Sequence, residues 1–347
     1  MKTPRITILF IILLAACCAQ AGAREADGRL GLIRRPISTQ PEFVQQGEKL
    51  LLELDSRKFD AGTGALRISL VRNGANVSID NALVSGGATD ETYFFVANVP
   101  AGTATGGYDV SVTRGSISDT SRRAVVVMSE YPKEYRIIHI TDIHVGRVLE
   151  GAPIGERNFD RMKDVINGVR PDMVILTGDL SDTSDPSEFK KFIDIVERIE
   201  APTFAIAGNH DRNYDDAASF IGSSRYDFLF GSHFYLGFDT QYMFPDPDPS
   251  GQMAWIRKEV RANQTAPFKV LFSHRPDSDF RFVISKVMIP MKVNLLLLGH
   301  THEDAVEKVG ALPSVVATTP AELDGYYRII TIKNNAIAEM KLEKISP

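Results

Sequence analysis

Cysteine is almost missing from this chain of 347 residues: there are two, and they are neighbours, Cys17 and Cys18. Adjacent cysteines rarely bridge each other, so no disulfide framework supports the fold. Long apolar runs are missing as well. The run over residues 6–16 falls well short of the about 20 residues a membrane-spanning helix needs, and no later segment is longer. An excess of basic charge is missing too. With 39 Lys and Arg against 44 Asp and Glu, the net charge of −5 lacks the electrostatic footprint of a duplex nucleic-acid binder. What is present is ordinary: 44% hydrophobic and 24% charged residues, enough to bury a core. That excludes a largely disordered chain, a collagen-like repeat and a polytopic membrane protein. At roughly 150 residues per domain, two domains are expected.

Residues 1–23 read as an address. Lys2 and Arg5 precede the apolar run and small residues follow it, the layout of a secretory signal. Two processing sites compete. Leu14-Ala15-Ala16-Cys17 resembles a bacterial lipoprotein box, which would place a lipid on Cys17 and anchor an exported, periplasmic or cell-surface protein to its membrane. Ordinary cleavage after Ala21-Gly22-Ala23 would release it. Residues 19 to about 31 then read as a flexible tether.

Residues 32–130 show the period of half-buried strands. Tyr108, Val110 and Val112 alternate with Asp109, Ser111 and Thr113, and turn signals such as Asn73-Gly74 and Gly106-Gly107 separate short apolar runs. No helix-length amphipathic stretch interrupts them, so a small all-β, immunoglobulin-like sandwich is expected. It holds no cluster of His, Asp or Glu, which makes it a spacer or docking module. Residues 129–135 read as the linker.

From 136 to 347 strands and helices alternate, the pattern of an α/β layered domain. Strands are expected at 136–141, 173–177, 203–207, 269–273 and 294–298. Helices are expected at 156–169, 186–200 and 251–263, with a closing hairpin around Asn334-Asn335. Most of these strands end in metal-ligand residue types: Asp142-Ile143-His144, Gly178-Asp179, Gly208-Asn209-His210-Asp211, His274 and Gly299-His300-Thr301-His302. Ligands of open α/β sheets bind beyond the carboxyl ends of the strands, so these five segments should converge. Carboxylate and imidazole without thiolate suit Mn, Fe or Zn in an open site rather than a closed structural zinc site. The set is too large for one ion and fits two divalent metal ions sharing a carboxylate.

These five blocks resemble the signature of the calcineurin-like metallophosphoesterases. The resemblance covers about residues 136–345 and implies a four-layer α/β/β/α sandwich. It implies that Asp142, His144 and His302 hold one metal, that Asn209, His274 and His300 hold the other, and that Asp179 bridges them. A phosphodiester or phosphomonoester, of small-molecule or nucleotide type, would be hydrolysed by in-line attack of a bridging hydroxide. His210 would stabilise the phosphoryl oxygen or protonate the leaving alkoxide. Asp211 would orient His210 or cap a turn. The arginine of the protein Ser/Thr phosphatase second block is missing after Asp179. Asp182 stands where purple acid phosphatases place a tyrosine, and His144 is a histidine they lack, so both branches are disfavoured. His139 and His233 read as structural histidines, and Asp182, Asp185, Glu303 and Asp304 as solvated loop charges. The aromatic and basic residues Arg212, Tyr214, Arg225, Tyr226, Phe228, Tyr242 and Phe244 read as a rim over the pocket, with Arg212 and Arg275 as phosphate contacts. A non-catalytic surface binding protein and an exported nuclease are the competing functions.

Overall fold

The computed structural model describes residues 24–60, 63–86, 91–212, 217–239, 251–275, 289–309, 312–316 and 325–345. The signal segment with Cys17, and Tyr214, Tyr242 and Phe244 of the expected rim, lie outside the described residues.

Period-two sequence in the first region yields β1 (Ile33–Arg35), β2 (Glu42–Gln45), β3 (Lys49–Asp55), a short helix α1 (Ser56–Asp60), β4 (Leu66–Arg72), β5 (Ala75–Ser85), β6 (Thr92–Asn98), β7 (Gly106–Arg114) and β8 (Ile117–Met128). They form one eight-stranded sheet in the order β1-β3-β6-β5-β4-β7-β8-β2. Strand β5 joins its two halves. Its first part, up to Ile79, pairs with β4, and from Asp80 onward it pairs with β6. The sheet thereby folds over on itself, and one core forms from Leu50, Leu52 and Phe95 of one half and Leu70, Val110 and Val125 of the other.

The second region runs β9 (Glu134–Ile140), α2 (Ile154–Val169), β10 (Met173–Thr177), α3 (Pro186–Val196), β11 (Thr203–Ile206), α4 (Ala217–Ile221), β12 (Tyr226–Phe230), β13 (His233–Gly237), α5 (Gln252–Ala262), β14 (Lys269–Phe272), β15 (Leu295–Leu298), β16 (Ala305–Val309), β17 (Leu312–Val316), β18 (Tyr326–Lys333) and β19 (Ala336–Lys344). A five-stranded sheet of order β11-β10-β9-β18-β19 faces a six-stranded sheet of order β12-β13-β14-β15-β17-β16. Between them, Ile137, Ile175 and Phe204 meet Phe228, Phe272 and Leu297. Outside the first sheet, Phe159 and Met162 of α2 and Phe189 and Phe192 of α3 cover Ile138, Ile140, Val174 and Leu176. Outside the second, Ile256 and Val260 of α5 cover Leu236, Leu271 and Leu296. Each such side chain contributes about 1.5–3 kcal/mol by leaving water. The result is the four-layer α/β/β/α arrangement. Its parallel strands β9, β10 and β11, and likewise β14 and β15, end on one side.

Two expectations change here. The tether ends earlier than residue 31. Arg24 is half-buried between the regions, donating to the Phe220 carbonyl and pairing with Glu197 at 3.3 Å, and the Leu30 N–H donates to Ser219 O at 2.7 Å. Tyr226 and Phe228 are not rim residues. They belong to β12 and lie in the core between the sheets, where Phe228 stacks on Phe204 with centroids 3.7 Å apart. Their aromatic surface is satisfied by burial, not by a substrate.

Candidate metal centre

Strand β9 delivers the first two candidate ligands. After Ile140 the chain leaves the sheet, and Asp142 and His144 take left-handed backbone conformations, φ 51° and 48°. Asp179, His300 and His302 do the same at 48°, 76° and 56°. Non-glycine residues held there cost on the order of 1–3 kcal/mol each and cluster where structure serves chemistry. Two glycines make room. A Cβ on Gly208 would collide with the Asp179 backbone and carboxylate, and one on Gly299 with the Thr141 hydroxyl.

The five segments converge. Asp142 Oδ1 lies 3.1 Å from His302 Nε2 and 4.0 Å from His144 Nε2. Asp179 Oδ2 lies 3.2 Å from His274 Nε2 and 3.8 Å from His144 Nε2, between the two groups. Asn209 Oδ1 is 3.1 Å from His274 Nε2, and the His274 and His300 rings stand edge to face at 5.2 Å. Asp142, His144 and His302 bring their ligand atoms within 4.8 Å of one another, and so do Asp179, His274 and His300. Surrounding groups fix the ligands. Thr141 Oγ1 and the His300 N–H donate to Asp142 Oδ2 at 2.7 and 3.0 Å, His210 N–H donates to Asp179 Oδ1 at 2.8 Å, and His274 Nδ1 faces Thr177 O at 2.6 Å.

Electrostatics matches this crowding. Burial alone would raise the Asp179 carboxyl, but the hydrogen bond and charge of His274 and the His210 N–H hold it well below the usual carboxylate range. Burial would lower His274, yet Asp179 and Asp142 carry it up to about 9. At His144 burial wins over the same two carboxylates and the imidazole is pushed down to about 4, leaving it neutral. His300 is lowered by burial, His274 and Arg275.

The residues present fit a cation pair. Carboxylate oxygens, imidazole nitrogens and an amide oxygen form the donor set. Among the described residues, buried Asp142 Oδ1 receives no backbone or hydroxyl hydrogen bond and faces the His302 and His144 imidazoles, a position a cation would satisfy.

Asp211 does not act on the His210 ring. Its carboxylate accepts from the N–H groups of Leu180, Ser181 and Gly208 at 3.0, 2.7 and 2.7 Å and from the Ser181 hydroxyl at 2.7 Å. A buried carboxylate that accepts from these four donors ties the second block to the third. The His210 ring instead turns Nδ1 to the carbonyl of Asp182 at 2.7 Å.

Asp182 is the residue the sequence left among solvated charges. Its Oδ1 lies 3.2 Å from His144 Nδ1 and accepts from Arg147 Nε at 2.7 Å. A carboxylate on the far nitrogen of a ligand imidazole fixes the tautomer that leaves Nε2 for a metal. The spacing of Asp182 three residues after Asp179 was visible; the direction of its side chain was not. Asp185 caps α3 through the Ser187 N–H at 2.8 Å, and Asp304 pairs with Arg328. His139, buried and bonded to Thr177 Oγ1 at 2.8 Å, is pushed down to about 3 by burial and Arg328. His233 bridges Tyr135 and Asn335 at 2.7 and 2.8 Å. Both are structural. Arg212 pairs with Asp239 and donates to Gly208 O at 2.8 Å, so its guanidinium braces the third block.

Comparison with known proteins bears on this geometry. The calcineurin-like phosphoesterase family model matches residues 135–304. A cAMP/cGMP dual specificity phosphodiesterase of Mycobacterium tuberculosis is 25% identical over 221 residues, covering 55% of this chain and 69% of that protein. An uncharacterized metallophosphoesterase of Campylobacter jejuni is 27% identical over 184 residues, covering 49% of this chain and 44% of its own length. Among solved structures, a purple acid phosphatase from yellow lupin superposes with a TM-score of 0.53 at 13% identity, over 86% of this chain and 70% of that one, a likeness of fold. Over residues 135–304 the chain is similar to the calcineurin-like phosphoesterases, and these residues carry all five ligand blocks.

Proposed function

We propose that the chain hydrolyses a small phosphoester with two divalent metal ions, a phosphodiester of cyclic-nucleotide type being favoured. The observation that carries this reading is the convergence of carboxylate, imidazole and amide ligands from five strand ends, with Asp179 between the two groups. The name of the mycobacterial relative supports the substrate class. Asp142, His144 and His302 would hold one ion, Asn209, His274 and His300 the other, and Asp179 both. Bound there, the pair would lower the pKa of water and neutralise charge on the phosphoryl oxygens. The left-handed ligand backbones and the hydrogen bonds to Asp142 and Asp179 hold this cradle in place before substrate arrives. His210, its Nδ1 engaged by the Asp182 carbonyl, keeps Nε2 for the substrate and passes a proton from it to the leaving oxygen. His144 stays neutral and oriented by Asp182.

The test compares a bis-aryl phosphodiester, a mono-aryl phosphate and a cyclic nucleotide with manganese-loaded protein. Asp179→Asn is expected to abolish both metal content and turnover. His210→Asn is expected to keep the metals and lower kcat by about 10²–10⁴. Loss of metal from His210→Asn would overturn its assignment as a proton donor. Protein that holds no metal and cleaves no ester is the outcome belonging to a surface binding protein.

Export, with a lipid on Cys17, belongs to the same proposal. Its support is the basic start, the apolar run and the Leu14-Ala15-Ala16-Cys17 box. Cys17→Ser is expected to release the protein from the membrane fraction.

A further inference from the structure

Outside the metal centre, the strongest unassigned feature is a cavity of about 660 Å³ between the C-terminal half of α5 and the turn before β15. Three cations line it, Arg257 and Arg261 from α5 and Lys292 from the turn, with Gln264 beside them and Val260 and Met291 as apolar surface. Among the described residues no carboxylate lines it. Among the described residues these three side chains have no ion-pair partner, whereas the neighbouring Lys258 is paired with Glu259 at 3.3 Å. In a chain of net charge −5, a pocket whose described lining has three cations and no carboxylate is a local inversion of the charge pattern.

The crowding has a cost. Lys269, next to the turn, is pushed down by burial and by the Lys292 ammonium. Like charges gathered without a counter-charge destabilise one another, and an anion bound among them would remove that repulsion. The two guanidiniums are suited to paired hydrogen bonds with phosphate oxygens, and the ammonium supplies a third charge. The apolar wall formed by Val260 and Met291 fits a phosphate carried on a less polar body.

The pocket is separate from the metal centre. Lys292 precedes β15, while His300 follows its other end, so the four-residue strand puts about 13 Å between them. We infer that this pocket is a second, non-catalytic site for a phosphate-bearing anion, presented either by a lipid headgroup or by a free phosphate compound.

The experiment uses the full chain in an Asp179→Asn background, so that turnover and the metal centre do not contribute, and a matching chain carrying Arg257→Ser, Arg261→Ser and Lys292→Ser. Pyrophosphate is titrated by calorimetry, and both chains are sedimented with phosphatidylcholine vesicles made with and without phosphatidylglycerol. Pyrophosphate binding that weakens about a hundredfold in the triple variant identifies a free phosphate ligand. Sedimentation only with phosphatidylglycerol, lost in the triple variant and reduced by salt, identifies a lipid headgroup. Equal behaviour of the two chains in both arms overturns the inference. The triple variant with Asp179 restored is expected to hydrolyse aryl phosphoesters as the parent does.

Discussion

Asp182 shows how a single side chain changes meaning once its neighbours are known. Its carboxylate bridges His144 and Arg147, and its carbonyl receives the His210 ring. Asp182→Ala is therefore expected to weaken metal affinity by about 10–100-fold, the usual effect of losing the outer partner of a ligand histidine. The backbone carbonyl, and with it the His210 orientation, remains. Metal titration of the variant checks this, and unchanged affinity would reject the role. His274 gives a pH prediction. Held near 9 by the two carboxylates, it is protonated in the metal-free chain at neutral pH, and a metal must displace that proton. Apparent affinity should rise by about tenfold per pH unit between about pH 6 and about pH 8, which chelator competition can measure. The sign for stability is opposite. Because the folded pKa lies above the unfolded value of about 6.5, the metal-free protein has the full contribution of this pair below about pH 6.5. That contribution is lost as pH rises through about 9.

At the scale of elements, periodicity told most of the story. The Met173–Thr177 strand has the expected bounds, α2 begins two residues before its expected start, and α3 stops at Val196 rather than near residue 200. Chain ends of helices fray because their last carbonyls lack partners, so pattern locates the middle better than the end. The β18–β19 hairpin was legible from Asn334-Asn335, and both residues have positive φ, 50° and 62°. Asn334→Val should cost about 1–2 kcal/mol and Asn334→Gly little, measured by urea denaturation. The β5 crossover was not legible. The strand changes partner between Ile79 and Asp80, and residue chemistry along one strand does not say which neighbour it pairs with.

At the scale of the whole molecule, the first region is fastened to the phosphoesterase domain by buried and part-buried polar contacts. Arg24 reaches Glu197 and the Phe220 carbonyl, Gln40 Nε2 donates to Ile221 O and Ser223 O at 3.0 and 2.6 Å, and Ala205 N–H donates to Thr39 O at 2.9 Å. A buried acceptor left without its donor costs about 1–3 kcal/mol. The double variant Arg24→Ala, Gln40→Ala is therefore expected to lower the thermal midpoint and to split a shared transition into two by calorimetry. One unchanged transition would mean that the regions are coupled elsewhere.

By itself the sequence determined the layered α/β arrangement, the strand-rich region before it and the set of ligand-type residues at strand ends. These follow from hydrophobic period and residue chemistry, both local properties. The tertiary structure alone decided which polar side chains face the centre. It turned Asp211 onto backbone donors and Asp182 onto His144, and it placed Tyr226 and Phe228 in the core. The reason is geometric. A carboxylate's role depends on the donors that surround it, and those donors come from distant segments, 158 residues away for the His300 N–H on Asp142.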